Sequence, residues 1–254
     1  MISLVSLEHK KSISVDDALE SDMKVFDAIK KYRLQSQKNA VNVLVDRLNL
    51  EPFLDFFTTF NTNNQLPYPN LYYAKCVFLN CYEGAWHTGI NDEEIRGLCA
   101  GALLHDFNHS GGKLNDSENI KKALKGLNDA QAYAASNLLG LSKTSFSIAN
   151  SVIKISQYQF ENNPETFPEK IIRDAIQMQP YEVSLKVILK QYMRLKSENE
   201  MRQSRSDENH NFSNDLRQFL DNEVKWHTEW AANKAKIRNW EHAKSHLLSM
   251  ITRQ

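Results

Sequence analysis

One stretch narrows what this chain can fold into more than any other. Gly97-Leu98-Cys99-Ala100-Gly101-Ala102-Leu103-Leu104 is an apolar, small-residue run without a charge, and it leads into His105-Asp106-Phe107-Asn108-His109-Ser110-Gly111-Gly112. Read as a buried helix, the run carries a polar terminus in which His105 and His109 lie four residues apart on one face, with Asp106 beside them. An imidazole nitrogen and a carboxylate oxygen aimed at one point suit a divalent or trivalent metal. The competing reading is a polar helix end with two capped histidines. The apolar lead-in favours the metal site.

The rest of the composition agrees with a helical protein. The 254 residues include only 8 Gly and 6 Pro, and long stretches rich in Lys, Glu, Leu, Ala and Gln run uninterrupted. A hydrophobic content of 41% supports one large domain, or one domain with an appendage. Basic and acidic residues balance at 31 each, so no broad nucleic-acid surface is expected, although a local patch stays open. Cys76, Cys81 and Cys99 have neither the even count nor the spacing of a disulfide framework or zinc knuckle, and read as reduced thiols of a cytoplasmic protein. No apolar run approaches the roughly 18 residues needed to span a membrane, so no membrane partner is expected.

In chain order, residues 1–60 read as a helical N-terminal section: a helix over 18–32, another over 36–48, and an aromatic cluster of Phe53, Phe56, Phe57 and Phe60 after Glu51-Pro52. Residues 61–196 read as the core, with helices predicted over 71–82, 95–104, from 116 through Leu127, 129–139, 142–160, 169–176 and 181–196. Residues 197–214 are polar and read as a linker. Residues 215–254 read as amphipathic C-terminal helices that pack on the body or on a partner subunit, which would make a homo-oligomer.

His105-Asp106, joined by Asp174 sixty-eight residues later within Ile171-Ile172-Arg173-Asp174-Ala175, resembles the HD-domain metal-dependent phosphohydrolase superfamily. The run His105-Asp106-Phe107-Asn108-His109-Ser110-Gly111, followed by Asn119-Ile120 and Ala123, is similar to the His-Asp-x-x-His-x-Gly stretch of its cyclic-nucleotide phosphodiesterase branch. The resemblance covers residues 65–180 and implies an all-α HD-domain bundle that holds one or two divalent metal ions (Mg, Mn, Zn or Fe). It implies His105, Asp106, Asp174 and the residue at Tyr73 as metal ligands. Asp106 and His109 would be the catalytic pair, with Asp106 shared between metals and His109 orienting a metal-activated water. The substrate implied is a small phosphorylated molecule, a nucleotide or cyclic nucleotide. Lys113, Lys75 or Arg173 would supply phosphate-facing charge.

One departure bears on activity. The branch's Tyr-His-Asn-x-x-His-Ala segment is here Tyr68-Pro69-Asn70-Leu71-Tyr72-Tyr73-Ala74, with Pro69 in place of the proton donor and Tyr73 in place of the first ligand. Tyr73 suits ferric iron better than Mg, Mn or Zn. His87, fourteen residues on, would compensate only if its helix ended early and the chain folded back. Two functions follow: a phosphodiesterase-like hydrolase, or a degenerate HD fold that binds or regulates without turnover. A di-iron HD oxygenase would need more histidine ligands than the chain places. The zinc-peptidase reading of His105-Asp-x-x-His109 fails because Asp is one carbon too short for the general base. Gly112-Lys113-Leu114 lacks the earlier Gly and the Ser or Thr of a phosphate loop.

Overall fold

The computed structural model describes residues 33–62, 71–110, 114–157, 162–179, 224–242 and 244–245. The predicted helices over 18–32 and 181–196, the linker 197–214, Pro69, Lys113 and His246 lie outside the described residues. The chain divides into two compact units, Met1–Leu44 and Val45–Gln254. The first contributes the opening turns of helix α1, Arg33–Arg47, in which Val41 is buried.

The larger unit is helical throughout its described residues, with no strand among them. After α1 come α2 (Glu51–Phe60), α3 (Leu71–Thr88), α4 (Asp92–Leu104), α5 (Asp116–Ala135), α6 (Lys143–Ile155), α7 (Phe167–Met178) and α8 (Glu229–Ile237). The all-α reading is therefore correct. No helix among the described residues is long and apolar enough to cross a membrane.

The helix starts follow capping chemistry. The Asn91 side chain accepts from the Glu94 N–H at 3.0 Å while Glu94 accepts from the Asn91 N–H at 3.0 Å, closing a capping box on α4. Thr166 and Glu169 form another on α7, which admits Pro168 in its first turn instead of leaving it in the preceding loop. Asn115, Ser142 and Thr228 cap α5, α6 and α8.

Helix α4 is the centre of the bundle. All eight residues from Gly97 to Leu104 are buried, which only a helix covered on every side achieves. Helix α6 packs along it most extensively, and α2, α3, α5 and α7 cover the rest. Ser145 ties the start of α6 to α4 by donating to the Glu93 carbonyl at 2.8 Å.

Two predicted helices change their bounds. The predicted helices from 116 and over 129–139 are one helix, α5, which runs unbroken to Ala135. Its Gly126 is no breaker; the Phe107 ring lies where a β-carbon would stand, so the glycine makes room for that ring. Helix α3 continues past Tyr82 to Thr88. There Gly84 lets α3 meet α7 and α8, since a methyl at this site would come within 2.8 Å of both Ile171 and Trp230. Helix α4 ends at Leu104, its predicted end. His105 and His109 consequently sit on a turn rather than on one helical face.

Candidate functional site

The turn from His105 to Ser110 is built by asparagines. Asn108 adopts the left-handed backbone (φ 55), which its short amide side chain tolerates and which ends the helical path. Its N–H donates to Asn61 Oδ1 at 2.9 Å. Its own Oδ1 accepts from the Thr62 N–H at 2.8 Å and the Thr62 hydroxyl at 3.0 Å. On the other side, buried Asn119 of α5 accepts from the Ser110 N–H at 3.0 Å and sets its Nδ2 3.1 Å from His109 Nε2. An amide NH2 only donates, so this contact makes His109 Nε2 an acceptor and leaves the proton of the neutral ring on Nδ1. From sequence Asn119 is only part of a motif, and Asn61 only the start of the polar loop Asn61-Thr62-Asn63-Asn64-Gln65. An Asn that opens a loop of Asn and Thr is too common a pattern to mark a brace.

Within this turn His105 is buried, with Nδ1 2.8 Å from the Ala102 carbonyl and Nε2 3.1 Å from Asp106 Oδ2. The second contact is an ion pair, not an aligned hydrogen bond: His105 Nε2 has no hydrogen-bond partner. Burial pushes the imidazole's pKa down, but Asp106 and the Ala102 carbonyl outweigh it and the net shift is upward. Burial likewise pushes the Asp106 carboxyl up, and His105 together with His109 brings it below its ordinary value. The two shifts favour the charged pair. The Asp106 side chain stays 20% exposed, so this acid reaches solvent. Tyr73, at the start of α3, is buried with its ring centroid 5.5 Å from that of His105. The residue at the first-ligand position thus stands against the His-Asp pair.

Asp174 belongs to a different part of the bundle. It is fully buried on α7, and its carboxylate faces the segment leading into α8. One oxygen accepts from the His227 N–H at 2.9 Å; the other accepts from the Thr228 N–H at 2.9 Å and the Thr228 hydroxyl at 2.8 Å. Burial raises its pKa to about 6 against the pull of these donors and of Arg173. Asp174 also acts on the buried Cys81 thiol, whose pKa burial raises far above its ordinary value. Cys81 is eight residues along α3 from Tyr73, which is about 12 Å of helical rise. Ile171, one turn before Asp174, meets α3 at Gly84, further still from Tyr73. The structure therefore brings Tyr73, His105, Asp106 and His109 together and sets Asp174 toward the far half of α3.

Helix α8 is fastened beside Asp174. Lys234 donates to Glu83 Oε2 at 2.6 Å and to Asn80 Oδ1 at 3.1 Å, and the Trp230 indole N–H donates to Glu83 Oε1 at 3.2 Å. Burial raises the Glu83 pKa, and Lys234 reverses this to a net lowering. His227 supplies a backbone donor to the anchor. Thr228 is legible as a helix cap, but its bond to an acid fifty-four residues away is not.

The other predicted groups have different employment. Arg173 is buried and donates from Nη2 to the Ile155 carbonyl at 2.7 Å and the Asn162 carbonyl at 3.0 Å, so it braces the loop between α6 and α7. His87 lies in the last turn of α3 with its ring 5.1 Å from Trp86. Because α3 does not end early, about 21 Å of helix separates His87 from Tyr73 and it cannot compensate there. Lys75 is half-buried on α3.

Among the described residues no three His, Cys, Asp or Glu side chains converge on one point. Both Asp174 oxygens accept hydrogen bonds from His227 and Thr228. Comparison with protein-family models, with curated proteins and with solved structures finds no match to this chain.

Proposed function

We propose that this protein is a degenerate HD-type helical bundle that binds a phosphorylated ligand without hydrolysing it. The observation that carries the reading is the state of Asp174. Its carboxylate accepts three hydrogen bonds from His227 and Thr228 and serves as the anchor of the C-terminal helix. An acid held this way stabilises the fold instead of waiting for an ion. Tyr73 beside His105 supports the same reading, because a phenol is a poor replacement for imidazole around Mg, Mn or Zn.

The test is metal analysis of the full chain purified without chelator, followed by assay on bis(p-nitrophenyl) phosphate with added Mn2+. The expected result is substoichiometric metal and no turnover above blank. Two equivalents of metal, with turnover abolished in Asp106→Ala, would overturn the reading.

A second reading, a metal-dependent phosphohydrolase, is favoured by one feature. His105 pins Nδ1 on a carbonyl and turns Nε2 toward Asp106, the posture of a metal-binding imidazole. That reading needs Asp174 to release His227 and Thr228. Hydrogen exchange of residues 227–237 would rise on adding Mn2+ if it holds, and stays unchanged if the binding reading holds.

A further inference from the structure

The turn that closes α5 holds a strained side chain out in solvent. The Leu139 N–H donates to the Ala134 carbonyl and the Leu138 N–H to the Ala135 carbonyl, both at 3.0 Å. These are the paired bonds of a Schellman motif, whose left-handed position glycine usually fills. Here Leu138 fills it, at φ 60 and with 95% of its surface exposed. A bulky side chain is strained in that conformation, and burial does not offset the strain. The posture is fixed by neighbours. Arg96 Nη2 donates to the Leu139 carbonyl at 3.0 Å, and Gln131 clasps Leu141, accepting from its N–H at 2.8 Å and donating to its carbonyl at 3.0 Å. Strain over-determined in this way points to a use for the side chain.

The surface around Leu138 is free of charge. Although 24% of the chain is charged, no charged residue occurs from Ala130 to Ser142. Tyr133, Ser136 and Asn137 are exposed there with Leu138. The Tyr133 ring stands 6.3 Å from that of half-exposed Phe60 on α2, and both rings pack on Phe56, at 6.0 and 4.9 Å. Exposed aromatic rings in a charge-depleted patch have the composition of the core of a protein–protein interface. The earlier half of α5 differs. There Lys122, Lys125, Gly126 and Asp129 border a cavity of about 470 Å3 beside the His105–Ser110 turn.

We propose that this face pairs two copies of the chain, their α5 helices antiparallel about a two-fold axis at Tyr133, with Leu138 of each copy as the anchor at the mouth of the other's cavity. Charge selects a second copy as the occupant. The chain balances 31 basic against 31 acidic residues, so two copies approach without long-range repulsion. Antiparallel pairing lays the uncharged half of each α5 on the charged half of the other, where Lys125 and Asp129 already neutralise each other at 2.6 Å. Like charges therefore do not meet. The lengths agree as well. Leu138 lies about 8 Å beyond Tyr133 along the axis, and Asp129 and Gly126 lie about 6 and 11 Å before it. The two-fold sets each Leu138 between the other copy's Asp129 and Gly126, and one operation makes both contacts. The leucine gains in the pair the burial it lacks alone.

Sedimentation equilibrium on the full chain tests it, and a reversible monomer–dimer equilibrium is expected. Leu138→Gly should weaken the dimer roughly tenfold or more. The same variant should raise the melting temperature by about 2–4 °C at concentrations where both proteins are monomeric, because glycine takes the left-handed backbone without strain. A merely structural leucine would give the gain in stability without the loss of association. Tyr133→Lys sets two like charges together at the axis and should dissociate the dimer with the helical content unchanged. Phe167→Ser, at an equally exposed ring on α7, should leave association as it is. A chain that stays monomeric at every concentration reached, or a dimer indifferent to Leu138→Gly or to Tyr133→Lys, would overturn the proposal. A dimer lost in Ile237→Asp alone would also overturn it, by moving the interface to α8.

Discussion

Asp106 and Asp174 are both acids at the edge of the same helical core, and the fold uses them in opposite ways. Asp106 sits on a turn after α4, partly exposed, with one imidazole at 3.1 Å as its charge partner. Asp174 is fully buried within α7, and each of its oxygens is engaged by the segment that leads into α8. The sign of the pKa shift separates them: His105 brings Asp106 below its ordinary value, whereas burial lifts Asp174 to about 6. Charge partners favour the ionised form of the first. Neutral amide and hydroxyl donors hold the second in place without compensating its burial in full.

The largest expected effect is on the Asp174 side. Asp174→Ala leaves two backbone N–H groups and the Thr228 hydroxyl without acceptors, at a cost of roughly 3–5 kcal/mol in chemical denaturation. Asp106→Ala, with water at hand, should cost about 1–2 kcal/mol. Equal costs would erase the distinction.

Next comes pH. Asp174 has a folded pKa of about 6 against roughly 3.9 unfolded, so the folded state takes up the proton first as pH falls. Its contribution is favourable at low pH and is lost as pH rises through 6, a swing of roughly 2–3 kcal/mol. The His105–Asp106 pair behaves otherwise. The His105 part is present below the unfolded histidine value and is lost as pH rises through its raised folded value; the Asp106 part is lost as pH falls through its lowered one. Denaturation across pH 3–8 should show Asp174→Asn flattening the slope between about 4 and 6, and Asp106→Asn flattening the limbs on either side. A variant that flattens the other's window would refute the assignment.

The smallest effect sharpens the Asp174 side alone. Gly84→Ala pushes a methyl against Ile171 and Trp230 and should cost about 1–3 kcal/mol. Its signature is faster hydrogen exchange in 229–237, with the His105–Ser110 turn unaffected.

How much of this was legible beforehand differs by residue. Asn91 with Glu94 and Thr166 with Glu169 announce helix starts, and the structure has both capping boxes. The apolar run from Gly97 announces a central helix, and it is buried on every side. The turn that follows it is not legible, because the left-handed backbone at Asn108 is held by Asn61 and Thr62, residues forty-seven and forty-six positions earlier. The predicted helices from 116 through Leu127 and over 129–139 are one helix, α5, within which Gly126 makes room for the Phe107 ring.

The division has a physical basis. Caps, helical periodicity and uncharged runs are interactions within a few residues, so the sequence by itself determined the helices, their burial and the pairing of His105 with Asp106. The destination of a buried acid depends on which donors the fold carries to it. Asp174 reads equally as a ligand or a salt-bridged residue until tertiary structure brings His227 and Thr228 onto it. The cavity beside the His105–Ser110 turn depends in the same way on residues after α2, the turn and α5 meeting around it, which no local pattern encodes.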